Sequence, residues 1–146
     1  MRLQKNTSLA LYSVLEFARA PERQIVAAEI ADKYGVSAHH LAKVLAELAR
    51  SGILASVRGA GGGYRFTGNA KRLTLMDVIQ LFENFDDPAA PRGARDAGTP
   101  VEVALSAVLS EIDENARATF KSITLTTMLR LIDRQQGGGA PRPAAR

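Results

Sequence analysis

The chain has 146 residues, enough for one domain with an extension and a real core, but too few for two large domains. It carries a formal net charge of +4 and no cysteine, which favours a polyanionic partner and excludes disulfides, thiolate metal sites and cysteine-ligated clusters. No apolar run approaches the roughly 18 to 20 residues a bilayer span requires and the start lacks a signal-peptide core, so a cytoplasmic protein with no membrane partner is expected.

The spacing of Leu11, Val14, Leu15 and Ala18 predicts a first helix from Thr7 to Ala20, capped by Thr7 or Ser8 and stopped by Pro21. It reads as scaffold. Ahead of it, Arg2 and Lys5 suit phosphate contact and solvated terminal charge equally well. Ala27, Ile30, Ala31 and Tyr34 repeat at i, i+3, i+4, i+7 and predict a short second helix, which Gly35 ends because a sharp stop favours a residue that tolerates positive φ. Ser37 then caps a third helix whose inner stripe is Leu41, Val44, Leu45 and Leu48, closed by Gly52.

Two amphipathic helices joined by so few residues pack steeply and leave the outer face of the second protruding, which is the helix-turn-helix arrangement. Leu54 to Val57 and Tyr64 to Thr67 are β-prone runs flanking a loop that is mostly glycine, so a hairpin wing follows. From Ser37 to Phe66 there are four Lys or Arg residues, Lys43, Arg50, Arg58 and Arg65, against one acid, Glu47, so positive charge gathers where a DNA reader needs it.

Beyond the wing, Thr74-Leu75-Met76-Asp77 resembles a capping box, and Leu75, Val78, Ile79 and Phe82 continue a fourth helix to near Asn84. Residues 85–100 hold three prolines and no periodicity, and are expected to be a flexible loop. Val101, Leu105, Val108, Leu109 and Ile112 then mark a long amphipathic helix reaching Thr119 or Lys121. A stripe this apolar on a loop-tethered helix needs a partner, and a second copy of the chain is expected to supply it. Thr124 caps a last helix carrying Leu125, Met128, Leu129 and Ile132, and 137–146 reads as a disordered tail. The expected organisation is a winged helix-turn-helix over 1–84, the loop over 85–100, a dimerisation helix and C-terminal helix over 101–136, then the tail. The fold class is mainly α with a small β-hairpin wing.

The expected DNA contacts lie on two elements. On the third helix, Ser37 and Ala38 allow close approach, while His39, His40, Lys43 and Arg50 can donate to base edges or phosphates. On the wing, Arg58 reaches the backbone or minor groove, Gly59, Gly61, Gly62 and Gly63 let the hairpin backbone come close, and Tyr64 packs behind. Adjacent helical positions point about 100° apart, so His39 and His40 do not share one ion, and no metal site is expected. A phosphate-binding glycine loop leads from a strand into a helix, whereas this one joins two strands. No nucleophile-with-base or paired-carboxylate pattern stands out, so no enzyme is expected.

The opening Met1-Arg2-Leu3, the Val36-Ser37 turn leading to Leu41, the run Val57-Arg58-Gly59-Ala60-Gly61-Gly62-Gly63-Tyr64 and the Leu73-Thr74 helix start together resemble the Rrf-two family of bacterial winged-helix regulators, which includes iron-sulfur and nitric-oxide sensors. The likeness covers almost the whole chain, and the wing run is its most specific part. It implies a homodimeric transcriptional regulator, a repressor or activator, that binds an inverted-repeat operator in double-stranded DNA, with the long helix as dimer interface. Many members carry three cluster-ligating cysteines in the loop before that helix. Here that loop has none, so no cofactor is expected. The absence leaves two alternatives: a natural cysteine-less branch controlled by a partner protein docking on the dimer helices, by a small-molecule effector or by nothing, or an iron-sulfur sensor whose cysteines have been replaced. A repressor is the leading expectation, and a winged module used only for protein contact is the rival reading.

Overall fold

In a computed structural model, residues 3–59, 61–83 and 98–137 are described. Helix α1 spans Lys5–Arg19, α2 Ala27–Tyr34 and α3 Ala38–Arg50, followed by strands β1, Leu54–Ser56, and β2, Tyr64–Phe66. Three more helices follow: α4, Leu75–Ile79, α5, Pro100–Ser122, and α6, Leu125–Gly137. The winged helix-turn-helix is present as the sequence implies.

Helix α1 differs from expectation at its start and in its buried face. It begins at Lys5 with Gln4 as N-cap, and no side chain of its own first turn caps it. Instead Glu83, distant in sequence but following the turn after α4, caps it: its Oε1 accepts from the Gln4 backbone N–H at 2.7 Å and from the Thr7 hydroxyl at 2.9 Å. A carboxylate there satisfies a free N–H and faces the positive end of the helix dipole. The fully buried face runs through Thr7, Ala10, Val14 and Phe17, and Leu11 and Leu15 flank it half-buried.

The helix-turn-helix forms for the reasons its sequence suggests. Gly35 takes φ 64°, where an L side chain is disfavoured, and Val36 N–H then donates to the Ala31 carbonyl at 3.0 Å to close α2. Ser37 caps α3 by accepting from His40 N–H at 3.3 Å. Leu41, Leu45 and Leu48 of α3 meet Val14 and Phe17 of α1, with Ile30, Leu54, Phe66 and Val78 closing the core. A second brace joins α1 to α2: Tyr12 and Tyr34 stack at 5.0 Å, and Glu16 accepts from Tyr34 Oη at 2.7 Å and pairs with Lys33 Nζ at 2.8 Å.

After the wing, Thr74 and Asp77 form the expected capping box. Helix α4 is shorter than expected, with single turns carrying the chain on to Phe82. Asn84 and most of the expected loop lie outside the described residues; the exception is Gly98 to Pro100, where Thr99 and Glu102 form a second capping box and Pro100 is already helical. Gly137, expected in the tail, is the last residue of α6, and 138–146 lie outside the described residues.

The two C-terminal helices differ sharply. None of the 23 residues of α5 is buried, and Val101, Leu105, Val108, Leu109 and Ile112 are between 51% and 76% exposed. The start of α6 is held in the winged core: Leu125 is fully buried, and its N–H donates to the Leu73 carbonyl at 2.8 Å. No helix among the described residues is long and apolar enough to cross a membrane.

Candidate nucleic-acid interface

The interface candidates lie on α3 and the hairpin beside it. Ser37, Ala38, His39, Lys43, Ala46 and Arg50 are exposed along α3, with Ala42 half-exposed between them. Ala38, Ala42 and Ala46 repeat every four residues on this face, so backbone is presented with little side-chain bulk. Sequence reading passed over Ala42 and Ala46, although their spacing from Ala38 is visible in the chain. Arg50 is not a free cation: its Nη1 pairs with Glu47 Oε2 at 3.0 Å. Lys43 has no hydrogen-bond or ion-pair partner among the described residues.

His40 stands apart from the other expected contacts. It is half-buried on the side of α3 that faces α1 and the turn after α4, and its Nε2 is sealed from solvent with no hydrogen-bond partner among the described residues. The reason is angular. His39 and His40 differ by about 100° around the helix, so when His39 faces outward its neighbour turns toward the fold. His40 therefore does not join the exposed face on which it was expected.

The wing is a two-stranded antiparallel hairpin with Leu54 opposite Phe66, Ala55 opposite Arg65 and Ser56 opposite Tyr64. Leu54 and Phe66 point into the core, which fixes the register, because a slip by one residue would turn both outward. A third segment pairs with its outer edge: Ile25 and Tyr64 exchange two backbone hydrogen bonds, both 2.9 Å. Gln24 Nε2 also donates to the Gly62 carbonyl. Sequence reading missed this clamp, since nothing local in the Arg23 to Val26 stretch signals a strand whose partner lies some forty residues on.

The clamp bears on two of the expected contacts. Tyr64 is half-buried, its backbone committed to Ile25 and its ring packed on the core, so its place is behind the wing. Gly63 has φ 117°, and a Cβ placed on it would lie 2.7 Å from the Ile25 carbonyl oxygen. Its missing side chain is required by the fold's own close approach of Ile25. Gly59 and Gly61 also have positive φ but face open space, and Arg58 beside them is exposed without a partner among the described residues. Arg65, exposed on β2, adds a further cation without a partner among the described residues.

A family model described as Rrf2, an iron-dependent transcriptional regulator, matches residues 3–131. BadM of Rhodopseudomonas palustris, assigned as an HTH-type transcriptional regulator, is 49% identical over 136 residues, covering 93% of this chain and 86% of that protein. The chain belongs to the Rrf2 family. A second relative, the ORF2 regulator of Azotobacter vinelandii, is 29% identical over 156 residues and covers 99% of the chain and 94% of its own length. Among solved structures, T. potens IscR aligns with a TM-score of 0.75 at 22% identity, covering 97% of this chain and 94% of that one. CymR of B. subtilis, the global cysteine regulator, aligns at 0.71 and 23%, covering 90% and 98%. These two similarities establish the fold.

As an Rrf2-family member the chain is a transcriptional regulator and not an enzyme. The iron in the family's description implies a metal centre, and the donors among the described residues do not fit one. There is no thiolate anywhere, and among the described residues no three His, Asp or Glu side chains come together as a metal site.

Proposed function

We propose that this Rrf2 regulator is a homodimeric repressor that binds an inverted-repeat operator in duplex DNA and works without an iron-sulfur cluster. The observation that carries the reading is a pair of exposed cations with no partner among the described residues, Lys43 on α3 and Arg58 on the wing, together with an α3 face of small residues. A small-residue face lets α3 sit deep in a major groove, where Ser37, Ala38, His39 and Lys43 reach base edges, while Arg58 and the backbone at Gly59, Gly61 and Gly62 meet sugar and phosphate. Arg50, held by Glu47, serves as a phosphate contact at the helix end. Gly63 and Tyr64 hold the wing in place.

The exposed stripe of α5 supports the two-fold part of the proposal. Val101, Leu105, Val108, Leu109 and Ile112 fall on one face of α5 and are each more than half exposed in their own chain, the self-complementary surface a symmetric dimer needs. The test is a footprint on the promoter beside the regulator's own gene, paired with sedimentation of the free protein. A dimer should protect two half-sites whose centres lie about one DNA turn, roughly 34 Å, or a multiple of it apart. A monomer in sedimentation refutes the dimer, and equal affinity for promoter and random DNA refutes operator reading.

A further inference from the structure

The α3 residue that misses the exposed face lines a cleft of its own. Between the start of α1, one flank of α3 and the turn after α4 lies an open cleft of about 330 Å³. Its apolar wall is Val44, Leu81 and Phe82, and its polar rim is Asn6, His40 and Lys43. Glu47 also borders it, but its carboxylate is engaged by Arg50 at 3.0 Å. We propose that this cleft binds a small monocarboxylate with a short apolar tail, and that the occupant competes with DNA for Lys43.

The residue chemistry selects that class. Lys43 is the one cation at the rim without an ion-pair partner among the described residues, so an anionic head group gains a charge-assisted hydrogen bond there. His40 supplies the second contact. Its Nε2 is buried without a partner, a state that native structures rarely leave unexplained. The imidazole makes no side-chain hydrogen bond, so turning about χ2 to present a nitrogen to the cleft breaks none. Val44, Leu81 and Phe82 then receive the hydrocarbon part, as the apolar walls of small-molecule sites do.

The regulatory consequence follows from geometry, and it rests on the DNA-binding reading above. Lys43 lies both on the cleft rim and on the α3 face proposed to enter the groove. One ammonium group cannot serve a carboxylate and DNA at full strength, so each ligand weakens the other by the same factor. A carboxylate would therefore release the operator without moving a domain. The adjoining turn adds leverage, because Glu83, next to Phe82, caps α1.

The test uses hexanoate as probe, with uncharged hexanamide as its comparison, on the full-length protein. The chain has only two histidines, so imidazole nitrogen NMR resolves His40 in the cleft and His39 on the exposed face as an internal control. Hexanoate in the millimolar range should shift the His40 ring and leave His39 in place, and hexanamide should do far less. At constant ionic strength, saturating hexanoate should weaken operator binding by roughly fivefold or more, the size of ordinary coupling between sites. Lys43→Gln, a change at an exposed position, should abolish that effect. No shift at His40, equal shifts at both histidines, or an equal response to hexanamide overturns the site. A His40 shift with unchanged operator affinity overturns the competition. Failure to bind any operator in the absence of hexanoate refutes the DNA reading instead, and the NMR titration of the free protein still decides the cleft.

Discussion

Replacing Gly63 by alanine separates a glycine that serves the fold from one that serves the ligand. At φ 117° an L residue occupies a region populated almost only by glycine, a strain of about 1 to 3 kcal/mol. The added Cβ would also stand 2.7 Å from the Ile25 oxygen, 3.1 Å from its carbonyl carbon and 3.3 Å from Val26 N. All three are backbone atoms that no rotamer change can move. Relief requires the Ile25 to Tyr64 pairing to open, which loses two hydrogen bonds worth about 0.5 to 1.5 kcal/mol each. The total, about 2 to 6 kcal/mol, is a large share of the 5 to 15 kcal/mol typical of a whole domain. Gly61→Ala is the control: φ there is 88° with nothing within 4 Å, so only backbone strain of about 1 to 2 kcal/mol applies. Denaturant unfolding of both variants, with amide exchange at Ile25 and Tyr64, reads the difference. Equal losses in the two variants, or unchanged exchange at those amides, would refute the argument that Gly63 is required by the clamp.

Four further outcomes are expected. Leu125→Ala should cost about 2 to 5 kcal/mol in denaturant unfolding, as for a fully buried leucine, and a loss under about 1 kcal/mol would mean α6 is not part of the winged core. Arg58→Ala should weaken operator and random DNA alike and reduce the log-log salt slope by about 0.9; an unchanged slope would remove the wing from the phosphate contacts. Aspartate at both Leu105 and Val108 should dissociate the proposed dimer, since each uncompensated charge buried in a two-fold seam costs several kcal/mol, and an unchanged sedimentation profile would show that α5 is not the seam. Glu16 gives a pH prediction. Partial burial acts to raise its pKa, but hydrogen bonds from Lys33 and Tyr34 and the charges of Lys33 and Arg19 outweigh it and hold the carboxyl below its ordinary value. Its stabilising effect is thus present above the ordinary carboxylate range and lost as pH falls through the lowered value, so Glu16→Gln should destabilise at neutral pH and narrow the gap to wild type in acid.

What the sequence revealed was whatever depends on neighbours in the chain. Gly35, Ser37, Thr74 and Thr124 announce their turns and caps because the groups they satisfy lie within five residues. The Thr99 and Glu102 box was equally readable and was passed over among the prolines of its segment. Contacts across the fold were not readable. Glu83 caps α1 from 79 residues away, and Gln24 holds Gly62 from 38 away, and neither residue type signals its partner. The wing glycines show the same limit within one motif: their positive φ follows from composition, but only the packed Ile25 strand separates the role of Gly63 from that of Gly61. For His40, the helical period points it away from His39, yet the surface it turns toward belongs to α1 and the turn after α4 and was invisible.

The same long-range contacts tie the DNA-reading head to the proposed dimer helix. At the junction of α5 and α6, Leu75 N–H donates to the Ile123 carbonyl at 2.9 Å, Leu125 N–H to Leu73 at 2.8 Å and Thr126 N–H to Ala70 at 3.0 Å. With Leu125 buried beneath them, these bonds fasten the C-terminal end of α5 to the segment that follows the wing. Helix α5, 23 residues and therefore about 35 Å long, is thus an arm fixed at one end to its own winged domain. If two such arms pair along the Val101 to Ile112 stripe, the separation of the two α3 helices follows from the arm, because the joint carries no free linker. Operator spacing is then a property of α5 and its anchor, whereas operator sequence is a property of α3. Small changes at the cleft beside His40 and Lys43 can alter affinity without altering spacing, and shortening α5 by one turn should do the reverse.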